Sequence, residues 1–75
     1  MKFEFESDFN IEFDDDFNIV INRFKLKNIS HNSERFTEHF FEDYTLTFYN
    51  KDDSILCRKE IERLFKRYKY KYIFK

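Results

Sequence analysis

From Lys2 to Asp14 apolar and polar residues alternate without interruption. Phe3, Phe5, Ser7, Phe9, Ile11 and Phe13 take one parity; Lys2, Glu4, Glu6, Asp8, Asn10, Glu12 and Asp14 take the other. Period 2 assigns the two sets to opposite faces of a β-strand, one apolar and one acidic, with a break at Ser7 and Asp8 equally compatible with the phase. Asp14, Asp15 and Asp16 read as a reverse turn, aspartate being tolerant of left-handed backbone. A second strand is expected from Phe17 to about Lys27. Its apolar parity switches near Asn22 and Arg23, from Phe17, Ile19 and Ile21 to Phe24 and Leu26, with Val20 already on the second side, as at a bulge or in a strand apolar on both faces. Asn28 to Ser33 reads as a loop.

Between Glu34 and Phe40 the periods conflict. Phe36, Phe40, Phe41 and Tyr44 fit a helix face, but Glu34, Glu38 and Glu42 would then stack like charges at i, i+4. Phe36, Phe40, Tyr44, Leu46 and Phe48 also share strand parity, which favours a strand from about Phe41 to Tyr49 and leaves residues 34–40 open between helix and strand. After a turn at Asn50 to Asp53 the pattern changes. Cys57, Ile61, Leu64, Phe65 and Tyr68 recur at i, i+4, i+7, i+8 and i+11, the apolar stripe of an amphipathic helix over Ser54 to Tyr68 capped by Ser54 or Asp53. Tyr70, Tyr72 and Phe74 then alternate with lysines, as a short closing strand would. The expected fold is a single α+β domain over residues 1–75: an antiparallel meander of about three strands, one helix across its apolar face, and that C-terminal strand.

Composition restricts this picture. A chain of 75 residues buries only about 60% of the surface its unfolded form exposes, and with Cys57 the lone cysteine no intrachain disulfide can supplement the core. Twelve phenylalanines and five tyrosines must do so, each burying roughly 150–250 Å². There is neither glycine nor proline. Turns needing positive φ are therefore expected to use Asn or Asp, and glycine-rich phosphate loops and dinucleotide fingerprints are excluded. No apolar run approaches the roughly 18 residues of a membrane span, and Met1 to Ser7 lacks the apolar core of a signal peptide. A soluble, cytoplasmic protein with a reduced thiol is expected. The richness in Phe, Lys, Asn, Ile and Tyr suits an AT-rich phage or mobile-element genome, in which case the compartment is the host cytoplasm.

The net charge of −1 conceals a division. Residues 1–53 carry six Lys/Arg against thirteen Asp/Glu, and residues 54–75 carry eight against two. On a strand, Glu4, Glu6, Asp8, Glu12 and Asp14, with Asp15 and Asp16 at its tip, would form a row of carboxylates about 6.6–6.8 Å apart, very roughly half the linear charge density of one DNA strand. Such a row can imitate a nucleic-acid backbone and occupy the basic groove of a nucleic-acid-processing protein. The plain alternative is a wet, solubilising sheet face. The basic end, Arg58, Lys59, Arg63, Lys66, Arg67, Lys69 and Lys71 with Tyr70 and Tyr72, offers phosphate contacts and rings for stacking on unpaired bases. Mutual attraction of the two halves, within the chain or across a homodimer, would account for the same asymmetry.

Enzyme chemistry finds little support. His31 and His39 are eight apart, wrong for a helical i, i+4 metal pair, and Glu38, His39 and Glu42 form a weak cluster. Cys57 lies on the apolar stripe with no base beside it. No cofactor or metal is implied. The sequence therefore favours a small non-enzymatic inhibitor or adaptor that binds a larger nucleic-acid-processing protein, for example a nuclease or CRISPR effector, through its acidic strand and turn, with direct single-strand nucleic-acid binding and a self-associating structural module as the competing readings.

Overall fold

The computed structural model describes all 75 residues. The architecture is α+β: β1 (Lys2–Ser7), α1 (Ile11–Asn22), β2 (Leu26–Phe36), β3 (His39–Phe48), α2 (Lys51–Tyr68) and β4 (Lys71–Phe74). The strands form one antiparallel sheet in the order β2-β3-β1-β4, the connectivity of the ferredoxin-like split β-α-β arrangement. A helix following the central strands and a short C-terminal strand are both present, and a second helix joins them. No helix is long and apolar enough to cross a membrane.

That second helix occupies the segment where alternation predicts strand. β1 ends at Ser7, and the Asn10 side chain caps α1 by accepting the amide of Phe13 at 3.1 Å. Glu12 and Asp14 lie in the first turn, at the positive end of the helix dipole. Phe13, Phe17, Val20 and Ile21 are buried at i, i+4, i+7 and i+8, the same spacing as Cys57, Ile61, Leu64 and Phe65 on α2. The acidic strand to Asp14, the Asp14 to Asp16 turn and the strand from Phe17 are thus replaced by helix. The parity switch near Asn22 marks a helix end, and Phe9 and Ile11, expected on the apolar face, are 82% and 67% exposed.

Other boundaries shift for local reasons. Asn28 to Ser33 is the middle of β2, paired with Glu42 to Thr47. It carries no apolar alternation because neither helix covers β2, and every residue after Leu26 is exposed. Residues 34–40 divide into the end of β2, a two-residue turn at Thr37 and Glu38, and the start of β3. Helix α2 begins three residues earlier than expected, capped by Asn50, whose side chain accepts the Asp53 amide at 2.8 Å.

Both helices pack on one side of the sheet. They run antiparallel, since Arg23 bonds Glu60 at 2.9 Å while Asp16 accepts from Tyr68 at 2.8 Å. Between them and the sheet lie Phe3, Phe5, Phe13, Phe17 and Phe65, with Phe5 and Phe65 ring centroids 4.7 Å apart. Tyr44, Tyr70, Tyr72 and Phe74 pack around this cluster. The opposite face of the sheet is open.

Positive φ falls at Thr37 (50°) and Lys69 (59°), neither Asn nor Asp. Lys69 closes α2 in a Schellman arrangement, its own amide reaching the Lys66 carbonyl and that of Tyr70 reaching the Phe65 carbonyl at 2.9 Å. Thr37, β-branched, turns the β2–β3 hairpin in a conformation that costs such residues energy. Substituting glycine at either position is expected to stabilise the fold by about 1 kcal/mol, the left-handed penalty less glycine's extra chain entropy. Thermal unfolding should show this as a Tm increase of about 4–8 °C.

Candidate interaction surface

The sheet register and the start of α1 distribute the predicted carboxylates over two surfaces. Glu4 and Glu6 point to the open face of the sheet, opposite Asp43 and Phe41 of β3. Asp8 lies in the β1–α1 connection, and Glu12, Asp14, Asp15 and Asp16 ride on α1. The continuous row of seven therefore does not form: a helix turns its side chains through about 100° per residue, where a strand would keep alternate ones in line.

Part of the acidic set is satisfied within the chain. Glu4 pairs with Lys75, Asp16 accepts from Tyr68 and lies 3.5 Å from Arg67, and Asp8 accepts from the Tyr70 hydroxyl. Glu6 sits 3.6 Å from His39 Nδ1. The attraction between the two halves of the chain is real at these points. Glu12, Asp14 and Asp15 have no such partner.

Around those three the geometry is distinctive. The pairing of Ser7 with Phe40 brings the start of β3 beside the β1–α1 connection, and the Phe9 and Phe40 rings lie 6.3 Å apart. Asp14 then faces Glu42 of β3. Burial, followed by Glu42, Asp15 and Asp8 in that order, raises the Asp14 carboxyl above its ordinary value. Glu42 itself accepts from Ser33 at 2.9 Å and bonds His31, whose ring stacks on Tyr44 at 4.1 Å. Burial, then Glu42 and Asp14, pushes the Tyr44 phenol up to about 12. The result is one acidic end of the molecule built from α1, its preceding connection and β3, with Phe9 and Ile11 projecting from it. Arg67 and Arg35, the latter lying over the Phe40 ring at 5.9 Å, are the nearby guanidiniums. Sequence reasoning missed Phe9 and Glu42 as members of this surface; Asn10 as the cap of α1, which leaves Phe9 in the connection before the helix begins, was the signal that could have found Phe9 outside the core.

The basic candidates are also redistributed. Lys59, Arg63, Lys66 and Arg67 are exposed on α2, Arg58 lies over the Phe74 ring at 4.4 Å, and Lys69 is the helix cap. Tyr70 and Tyr72 are occupied: their rings pack on Phe13 at 4.6 Å and Phe65 at 4.9 Å. Their hydroxyls donate to Asp8 and Glu62, and both phenols are raised, Tyr70 chiefly by burial and Tyr72 by the bond to Glu62. Lys71 projects to the open sheet face opposite Glu6. The basic surface thus lacks rings free to stack on bases. Cys57 is fully buried, and burial, then Glu60 and Asp53, pushes its thiol up to about 12, so it is protonated and shielded at neutral pH.

No known protein family, curated protein or solved structure matches the chain. The connectivity recurs among proteins of unrelated activity and carries no functional assignment by itself.

Crowding at the acidic end has a measurable signature. Because the folded state raises the Asp14 pKa, the contribution of this group to stability is present below its ordinary value of 3.8 and is lost as pH rises through the raised one. Asp14→Asn removes that loss. Its stability relative to the parent should therefore increase by a fraction of a kcal/mol between about pH 3 and about pH 6, measured by urea unfolding at both pH values. A constant gap would mean that Asp14 is not crowded.

Proposed function

We propose that the protein is a small non-enzymatic inhibitor or adaptor that binds a larger nucleic-acid-processing protein, such as a nuclease or CRISPR effector, by placing its acidic end in the partner's basic groove. The observation that carries this reading is the crowding of Asp14 by Glu42, Asp15 and Asp8, next to the β1–α1 connection that carries the 82% exposed ring of Phe9. An exposed aromatic anchor beside a cluster of carboxylates is what an apolar pocket bordered by lysines and arginines would accept. The carboxylates supply steering and exclude partners of the wrong sign; the ring supplies desolvated contact area. Glu4 and Glu6, turned to the sheet face, lie outside this contact.

Direct nucleic-acid binding through α2 is the reading to be separated from it. The protein is expected to leave single- and double-stranded DNA and RNA unshifted in gels at low salt. Proteins captured on it from the source cell extract should be released by duplex DNA or heparin, which compete for a basic groove. Asp8→Lys with Asp15→Lys should abolish this capture, and Phe9→Ala should weaken it about tenfold or more. A gel shift that disappears in Arg63→Glu/Lys66→Glu/Arg67→Glu would instead assign the basic helix as the functional surface.

A further inference from the structure

Strand β2 is an outer edge of the sheet, and the hydrogen-bond phase fixes which of its backbone groups face outward. Met1 and Leu46 exchange both of their bonds, each at 2.8 Å, so the even residues of β3 aim their amides and carbonyls at β1 and the odd ones at β2. The register joins those odd residues to even ones on β2. From Asn28 to Phe36 the even residues of β2 are therefore engaged by β3, while Ile29, His31, Ser33 and Arg35 direct their amides and carbonyls away from the sheet. Edges of this kind are ordinarily blunted by proline, by charge or by a covering element. β2 has no proline, neither helix covers it, and Asn28 to Ser33 includes no Lys, Arg, Asp or Glu.

We propose that two copies of the chain join edge to edge through antiparallel β2 strands, across a two-fold axis perpendicular to the sheet at Asn32. The two sheets become one, with the helices of both copies on the same side. The regular run of β2 is bounded by the bulge at Lys27 and the turn at Thr37 and Glu38. Its midpoint is Asn32, so this register uses its whole length. Ile29 exchanges hydrogen bonds with the partner's Arg35, and His31 with the partner's Ser33, each twice by symmetry. Directly opposed side chains share a face, and none of them carry like charge: Arg35 meets the partner's Ile29, Glu34 the partner's Ser30 and Phe36 the partner's Asn28. Where the strands end, opposite signs come together. Lys27 stands beside the partner's turn at Glu38, with Lys25 just beyond it; Arg35, the other cation near that turn, lies over the Phe40 ring of its own chain. Length and charge placement thus both match a second copy.

Backbone hydrogen bonds contribute little net of those they replace with water, and the side chains brought together are mostly polar. An edge contact also lies at the small end of the range of specific interfaces. Association should therefore be concentration-dependent, with a micromolar or weaker Kd. The register has a covalent signature. Asn32 and the partner's Asn32 form a non-hydrogen-bonded pair, with Cα atoms about 4.5 Å apart, a separation that a disulfide spans. Ser30 and the partner's Ser30 are about 14 Å apart, beyond its reach.

Sedimentation velocity on the full chain, from about 1 µM to 1 mM, tests this, and a reversible monomer–dimer equilibrium is expected. Under mild oxidation Asn32→Cys should become a disulfide-linked dimer on a non-reducing gel, whereas Ser30→Cys and the parent, whose Cys57 is buried, should stay monomeric. Ser33→Pro removes an outward amide and spares the ladder to β3; it should weaken association about tenfold or more, with circular dichroism verifying the fold. A monomer throughout the concentration range overturns the proposal. So does a dimer in which Asn32→Cys fails to cross-link, in which Ser30→Cys cross-links equally, or which a folded Ser33→Pro variant leaves unchanged. If Ser33→Pro does not fold, the cysteine pair decides alone. None of these outcomes depends on capture of a partner at Phe9, so failure here and failure of the proposed function are separable.

Discussion

Phe3 and Phe5, two positions apart on the central strand β1, hold the domain together. Phe3 contacts Phe17 of α1, Phe65 of α2, Tyr44 of β3 and Phe74 of β4; Phe5 contacts Phe13, Phe17, Phe65, Tyr44 and Tyr70. Two rings thus tie every element except β2 into one cluster. In a chain with no disulfide and eleven buried apolar residues, such offset and edge-on pairs contribute roughly 0.5–1.5 kcal/mol each beyond burial. That is large against the 5–15 kcal/mol by which ordinary domains are stable. The aromatic excess takes the place of the covalent or metal staple that small domains otherwise need.

What sequence pattern reveals here depends on whether an element has a buried face. The stripe from Cys57 to Tyr68 and the alternation of Tyr70, Tyr72 and Phe74 are both realised because one side of each element meets the core. β2 failed that test: both of its faces are wet, so its polar run resembled a loop, and only the backbone hydrogen bonds of β3 make it a strand. α1 failed differently. Phe13 and Phe17 satisfy period 2 and period 3.6 alike, and the alternation inherited from β1 masked the change of period after Ser7. Val20 and Ile21, adjacent and both buried, fit a helix directly but require a bulge in a strand. Asn10, followed by acidic residues in the first turn, was the start signal that separates the two.

This reassignment also reorganises the electrostatics. The division between an acidic front and a basic rear of the chain survives as a contact between α1 and α2, where Asp16 meets Arg67, and across the sheet, where Glu4 meets Lys75. Exposed pairs of this kind add little stability, so their main effect is on the shape of the field. They cancel part of the charge along the body of the molecule and leave the remainder concentrated where α1 begins. The chemistry of the candidate surface was legible in residue type, whereas its location was not, because location followed from a change of period that residue type alone does not announce.

The isolation of β2 has a consequence for how the molecule comes apart. Its attachment is the hydrogen-bond ladder to β3, together with Leu26 at one end, the polar contacts of His31 and Ser33 to Glu42, and the exposed ring pairs His31–Tyr44 and Phe36–Phe41, and almost none of its side chains enter the core. Opening it exposes little apolar surface, so its amides should exchange with solvent through a local fluctuation, while those of β1 wait for global unfolding. The outermost strand is a detachable margin: the chain can lend it out, or lose it for a moment, while Phe3 and Phe5 keep the remainder assembled.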